Sequence, residues 1–329
     1  MKGLESHIFG RLSLSRFLQW RPNTILMRWL PRTMMRSYIG LLGKLYFAIN
    51  SRERENIERN LCAVLRRVAG KDSLDLIIRR TFAGIFAHYY EKLFIAYHHF
   101  GKVCRFLDTH VAITNLKLLD EALSQEKGVI LVTGHFGAVE LLPLTLAIKG
   151  YPVTMVVRFK TERLKNALNY RCQFVPITLL DANDGEGIAF EAIKALKSNR
   201  ILIIECDEFE IWRPYRDRHT RFLGCFSPLD RTLDVFKRRY DSPVLMGLFN
   251  RGNRDSYGID LHSLENEQYD GEDSLISERA LRVLERYIIR TPEQWYQWKD
   301  VRIVLGTKIS EEGRPYFAAQ EDQSVSLEN

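Results

Sequence analysis

This chain predicts an α/β fold with a largely parallel sheet, on three observations. From Gly128 onward, short runs rich in β-branched and aliphatic residues alternate with helical stretches: Val129 to Thr133, Val153 to Val157, Val175 to Leu179 and Ile201 to Ile204. That alternation is the mark of βαβ units. The first hundred residues read as helices instead. At 329 residues, 46% apolar and 27% charged, the chain is large enough for one α/β unit with accessory helices and has ordinary globular composition.

The net charge of +7 is concentrated at the start, where residues 1 to 40 carry Lys2, Arg11, Arg16, Arg21, Arg28, Arg32 and Arg36 against Glu5 alone. These basic residues are interleaved with Phe9, Leu12, Phe17, Trp20, Ile25, Met27 and Trp29. The pattern suits a helix lying at a membrane surface with anionic headgroups, and favours that over nucleic acid. It also fits an amphipathic helix packed on its own domain. The most apolar segment, Tyr38 to Ile49, contains Lys44 and is shorter than the roughly 18 to 20 residues that cross a bilayer. No secretory signal is expected. Five scattered cysteines without a CxxC pair point away from a disulfide framework and toward a reducing compartment.

Asn50 and Ser51 are candidate caps for a helix over Arg52 to Ala69, with Gly70 as its stop. Leu74, Ile77, Ile78, Phe82, Ile85, Phe86, Tyr89, Leu93 and Phe94 then recur at helical spacing, predicting a long helix that ends near Gly101. His88, His98 and His99 fall on or near it and read as packing or surface residues. After the fourth β-rich run, Cys206 to Ser227 is a polar, Arg-rich segment expected to be a long functional loop. Leu229 to Arg239 reads as a helix, Val244 to Phe249 and Tyr257 to Leu261 as strands, and Leu275 to Ile289 as a closing helix. The expected division is a helical, membrane-facing extension over 1–100, an α/β domain over 101–317 and a polar tail over 318–329.

Chemistry centres on Gly134-His135-Phe136-Gly137-Ala138-Val139-Glu140, directly after the first strand and running into a helix expected over Ala138 to Ile148. Such a junction exposes side chains at the carboxyl end of a sheet. Residues five apart are separated by roughly 140° on a helix, so His135 must sit in the turn and fold back to meet Glu140. Glu140 would then fix the tautomer while the other ring nitrogen takes a proton from an attacking hydroxyl. Gly137, beside Phe136, would let substrate backbone and acyl chain approach closely. The amides that open the following helix are suited to an oxyanion.

His135-x4-Glu140 resembles the His-x4-Asp/Glu signature of the lysophospholipid acyltransferase superfamily, and its branch resembles the late acyltransferases of lipid A biosynthesis. Asn56-Ile57-Glu58-Arg59-Asn60-Leu61 is similar to that branch's early Arg/Asn-Leu helix, and Val156-Val157-Arg158 to its second block. Asp207-Glu208 stands where an Asp-Gln type pair is usual. Phe222-Leu223-Gly224 with Ser227-Pro228, and Pro292-Glu293-Gln294-Trp295-Tyr296-Gln297-Trp298-Lys299, resemble its later blocks. The resemblance implies a glycerolipid acyltransferase-like fold and direct O-acyl transfer from acyl-carrier protein or acyl-coenzyme A to a hydroxyl of a lipid A precursor or related glycolipid. His135 and Glu140 would be catalytic; Arg158, Asp207, Glu208, Gly137 and Phe136 would meet substrate, with Arg158 on a phosphate. No cofactor or metal is implied, and the expected place is the cytoplasmic face of the bacterial inner membrane.

Two departures stand out. Glu205-Cys206-Asp207-Glu208 is more acidic than the usual pair, and Arg213, Arg216, Arg218 and Arg221 follow it. Asp207 would orient a substrate hydroxyl or, more simply, anchor that loop. Two rivals remain: a metal-dependent hydrolase using His135, Cys206, Asp207, His219 and Cys225, whose spacing matches no compact zinc signature, and a non-catalytic membrane-binding protein of the same fold. Trp295 and Trp298 read as packing residues.

Overall fold

In a computed structural model of the chain, residues 17–65, 71–185, 187–208, 214–253, 255–265 and 274–299 are described. The polar tail, the basic residues before Phe17 and Arg213 lie outside them.

Five helices come first: α1 (Arg21–Trp29), α2 (Arg32–Ile49), α3 (Ser51–Leu65), α4 (Lys71–Tyr97) and α5 (Phe100–His110). The long helix α4 ends at Tyr97, and Gly101 lies inside α5 rather than ending the helix before it. Among the described residues no helix is long and apolar enough to cross a membrane. α1 and α2 bury Met27, Met35, Ile39 and Phe47. The same helices, with Trp20 just before α1, expose Trp20, Ile25, Trp29, Met34, Leu41 and Leu45, forming a surface extension.

The rest alternates strand and helix: β1 (Val111–Thr114), α6 (Leu116–Leu123), β2 (Val129–Thr133), α7 (Leu142–Ile148), β3 (Val153–Val157), α8 (Glu162–Cys172), β4 (Ile177–Asp181), α9 (Ile188–Lys197) and β5 (Ile201–Glu205). There follow β6 (Pro214–Phe222), β7 (Cys225–Asp230), α10 (Thr232–Tyr240), β8 (Val244–Arg251), β9 (Tyr257–Ser263) and α11 (Ile276–Arg290). Seven strands form one sheet in the order β1-β9-β8-β2-β5-β3-β4. Only the β8–β9 pairing is antiparallel; the other five pairings are parallel. The expected mixed, largely parallel α/β fold flanked by helices is therefore present.

β2 is the central strand, and all five of its residues are buried, as a parallel strand covered on both faces requires. Its register with β5 pairs Thr133 with Glu205, so the two chains leave the sheet side by side at its carboxyl edge. The segment expected as a long loop after β5 is in part a hairpin: β6 and β7 pair antiparallel, and the next helix begins at Thr232 instead of Leu229. Arg216 to His219 are exposed and charged residues crowd β6, so the sequence there lacks the apolar period that marks a buried strand, although Phe222 and Leu229 are buried.

α4 is clamped to the sheet by a buried ion pair. Arg251 on β8 donates twice to Glu91, at 2.7 and 2.8 Å, and Tyr257 donates to the same carboxylate at 3.3 Å. Burial alone would lower the guanidinium, but Glu91 outweighs it and holds Arg251 charged. A second brace comes from the end of the described chain. Asn60 donates to the Trp298 carbonyl at 2.7 Å and Asn56 to the Lys299 carbonyl at 2.8 Å, so the early Asn56–Leu61 helix and the terminal aromatic element meet.

Candidate active site

Backbone hydrogen bonds hold much of the turn after β2. Gly137 has φ +59, and its N–H donates to the Gln294 carbonyl at 2.8 Å; Ala138 N–H donates to the Phe249 carbonyl at 2.9 Å. A Cβ on Gly137 would stand 1.6 Å from that Phe249 oxygen. The close approach that demands glycine is therefore to the protein's own β8, not to a substrate. Phe136 is fully buried and meets Tyr287 edge-on at 5.7 Å. Phe136 and Gly137, expected to contact substrate, instead shape the turn. The Phe136 N–H is also bonded within the chain, to the Gly134 carbonyl. With three amides so committed, the expected oxyanion donors at this position are already occupied.

This turn presents His135, which is 6% exposed. Its Nδ1 lies 2.9 Å from Asp207 Oδ1, and its backbone N–H donates to both Asp207 oxygens at 3.0 Å. Asp207 is 1% exposed and also accepts from the Trp295 indole N–H at 2.8 Å. The carboxylate is thus fixed from three sides, and it fixes the ring. On the other nitrogen, Nε2 stands 2.9 Å from Glu208 and 3.5 Å from Glu205. Burial would lower the imidazole's proton affinity, but the carboxylates of Glu205, Asp207 and Glu208 outweigh it and raise it well above its ordinary value. Glu205 is itself pushed up to about 7, by burial first and then by Glu208 and Asp207, against the pull of His135. Glu208 goes the other way: its bond to His135, with Arg158 and Lys160 beyond, overcomes burial and lowers it.

Glu140, expected to orient His135, does not touch its ring. The stretch from 137 to 141 is not the first turn of an α-helix: a left-handed glycine leads into a 3-10 turn over Val139–Leu141, and α7 starts only at Leu142. This rotates Glu140 toward α4, where it lies 2.6 Å from Lys92 Nζ and 3.4 Å from His88 Nε2. Asp207 takes the orienting place. It neither anchors the Arg-rich hairpin nor stands open to solvent, in contrast to the substrate and anchoring roles expected of it.

His135, Glu140, Glu205 and Glu208 border one cavity of about 1000 Å³. That is the upper end of the roughly 300–1,000 Å³ usual for small-molecule sites. One arm is apolar, walled by Leu164, Leu168, Ile177, Leu179, Ile188 and Ala192 from α8, β4 and α9. Arg158, Lys160, Arg231 and Arg239 bring positive charge to the same cavity, so the expected site residue Arg158 joins His135 there.

A metal ligand set can be assembled among the described residues from His135, Glu205 and Glu208, whose ligand atoms lie within 4.8 Å of one another. It differs from the set expected from sequence. His219 is exposed on the β6–β7 hairpin, and Cys206 is a buried free thiol. Both carboxylates already lie against His135 Nε2, Glu208 at 2.9 Å and Glu205 at 3.5 Å.

A model of the bacterial lipid A biosynthesis acyltransferases matches residues 11–299. The chain belongs to this family. It is accordingly an acyltransferase of lipid A biosynthesis, as the resemblance of its ordered blocks implied. Comparison with curated proteins gives no match.

Sequence reasoning missed four members of this acyltransferase site. Glu205 was noted only as an acidic departure, Trp295 as packing, His88 was assigned no role, and Lys92 was not singled out. A signal was present in α4, where His88, Glu91 and Lys92 interrupt the otherwise apolar and aromatic stretch from Phe82 to Tyr97, since charged groups inside a core-facing stripe demand partners.

Proposed function

We propose that the protein transfers a fatty acyl chain from acyl-carrier protein or acyl-coenzyme A to a hydroxyl of a lipid A precursor or related glycolipid, with His135 as general base. The observation that carries this reading is the buried Asp207–His135 pair, at 2.9 Å, at the edge of a cavity with an apolar arm and a cationic wall.

In the reaction, Nδ1–H stays on Asp207 and the acceptor hydroxyl takes the place of Glu208 at Nε2. Nε2 receives the hydroxyl proton as the oxygen attacks the thioester carbonyl. The tetrahedral oxyanion then collapses, the C–S bond breaks, and the imidazolium returns its proton to the leaving thiolate. Asp207 holds the tautomer and stabilises the imidazolium. The acyl chain lies in the arm walled by Leu164, Leu168 and Ala192, while Arg158 pairs with a phosphate. Glu140 contributes indirectly, from its place against Lys92. The step needs no metal and no cofactor.

The reading also places the enzyme on a membrane surface, at the cytoplasmic face of the inner membrane. Its support is the exposed Trp20, Ile25 and Trp29 beside the exposed Arg21 and Arg28, apolar and cationic groups of the kind that meet an anionic interface.

The experiment is transfer of label from acyl-carrier protein or acyl-coenzyme A into a membrane lipid extract, comparing wild type with His135→Ala. Labelled lipid lost in the variant is expected, and its mass identifies the acceptor. Undiminished transfer in His135→Ala would overturn the mechanism. Liposome binding with no product from either donor would favour a non-catalytic membrane protein.

A further inference from the structure

His88 is 2% exposed and sits on α4, across the cavity wall from the turn that carries His135. Its Nε2 lies 3.4 Å from Glu140, which Lys92 holds at 2.6 Å. Its ring stacks on Tyr296 with centroids 3.7 Å apart and planes 23° apart. Tyr296 in turn meets the His135 ring edge-on, at 4.8 Å and 82°, and its N–H donates to the His135 carbonyl at 3.2 Å. A continuous chain of contacts therefore runs from Lys92 through Glu140, His88 and Tyr296 to the base.

The second ring nitrogen, Nδ1 of His88, is buried without a hydrogen-bond partner among the described residues. Leaving such an atom unpaired carries a desolvation cost that a phenyl ring at this position would not. Packing alone does not account for an imidazole here, and the contact a phenyl ring could not make is the one with Glu140.

We propose that His88 is a positioning residue for His135: anchored by Glu140, it fixes the Tyr296 ring against the base. This rests on the reading of His135 as the base. The need arises in the reaction itself. When the acceptor hydroxyl displaces Glu208 from Nε2, the His135 ring loses its nearest partner on that side, and the Tyr296 ring, set edge-on to it, limits its tilt away from the hydroxyl. The proposal also gives the Glu of the His-x4-Glu motif a route to the base without direct contact. Small errors in the placement of a reacting group reduce rate far more than binding.

The test compares steady-state transfer, with labelled acyl-carrier protein and the membrane lipid extract, for His88→Ala, His88→Phe, Tyr296→Leu and the double variant His88→Ala/Tyr296→Leu. His135→Ala is the reference, and melting curves report folding. His88→Ala is expected to lower kcat about tenfold with KM within twofold of wild type. His88→Phe, which keeps the stack and loses the anchor, should recover to about a threefold loss. Tyr296→Leu should match His88→Ala, and the double variant should be no slower than either single one, because both break the same chain. Losses that multiply to about a hundredfold in the double variant would overturn the proposal. So would a His88→Ala kcat within twofold of wild type while His135→Ala is inactive. If His88→Ala does not fold, His88→Phe and Tyr296→Leu decide: unchanged kcat in both overturns the proposal. Transfer that survives in His135→Ala is a distinct result, which removes the base itself and this inference with it.

Discussion

Replacing Asp207 by Asn changes one atom's chemistry at the most constrained point of the site. The carboxylate accepts the His135 backbone N–H, the His135 ring at Nδ1 and the Trp295 indole N–H. An amide has one acceptor oxygen and one donor group. If the oxygen faces His135, the NH2 meets the Trp295 N–H donor against donor. If it faces Trp295, the NH2 meets the His135 amide, and Nδ1 must become the acceptor, which moves the ring proton to Nε2 and removes the base. Either way a buried charge-assisted bond is lost, at about 1.5–3 kcal/mol of stability. The general base contributes about 10²- to 10⁴-fold, or roughly 2.7–5.4 kcal/mol of barrier at 1.36 kcal/mol per decade. Initial rates under kcat/KM conditions for Asp207→Asn, with circular dichroism melting alongside, measure both quantities. A folded Asp207→Asn enzyme that keeps kcat/KM within about threefold of wild type would refute the orienting role and the catalytic use of this histidine face.

Five further outcomes follow from the same geometry. His135 must be neutral to act, and its neighbours hold it protonated to above its ordinary value, so the acid limb of the rate profile should lie above pH 6.5; Glu208→Gln removes one negative neighbour and should move that limb to lower pH. Two groups should pull stability the opposite way: His135 and Glu205 both bind protons more tightly folded than unfolded, so their contribution is full in acid and is lost as pH rises, from about 4.5 to about 7 for Glu205 and above 6.5 for His135, which urea titrations of wild type against Glu205→Gln at several pH values will show. Arg251→Met strands Glu91 in the core and should cost about 3–5 kcal/mol by chemical denaturation. Ala192→Phe narrows the apolar arm, and the kcat/KM ratio of long to short acyl donors should fall at least about tenfold. A chelator should leave transfer unchanged; loss of activity restored by a divalent ion would mean that His135, Glu205 and Glu208 hold a metal.

Much of the fold was legible, because parallel strands buried on both faces are continuous apolar runs and the helices between them keep their own period. Val129 to Thr133 and Val153 to Val157 appear as read. The hairpin of β6 and β7 was not legible, since Pro214 to Asp230 carries arginines, aspartates and a histidine that obscure any apolar period, even though Phe222 and Leu229 are buried. In the site, His135 stood out through its strand-turn setting together with the resemblance of His135-x4-Glu140 to the family signature. The partner on Nδ1 was not, because it depends on which strand lies beside β2. The register that pairs Thr133 with Glu205 carries Asp207 to His135 across 72 residues of sequence, and local spacing holds no record of that neighbour. Glu140 was misplaced for a local reason: one left-handed glycine and a 3-10 turn break the helical geometry from which its direction was inferred.

The Trp295–Asp207 bond has a consequence for the order in which the enzyme comes into being. Synthesis delivers His135 and Asp207 well before Trp295, the indole that pins the Asp207 carboxylate. A chain halted before Pro292 would carry His135, Asp207 and the whole sheet, yet lack the bonds from Gln294, Trp295 and Tyr296 that set the turn. The Pro292–Gln294 turn and the aromatic residues after it therefore complete the geometry about His135 and Asp207 only once the sheet has already been made.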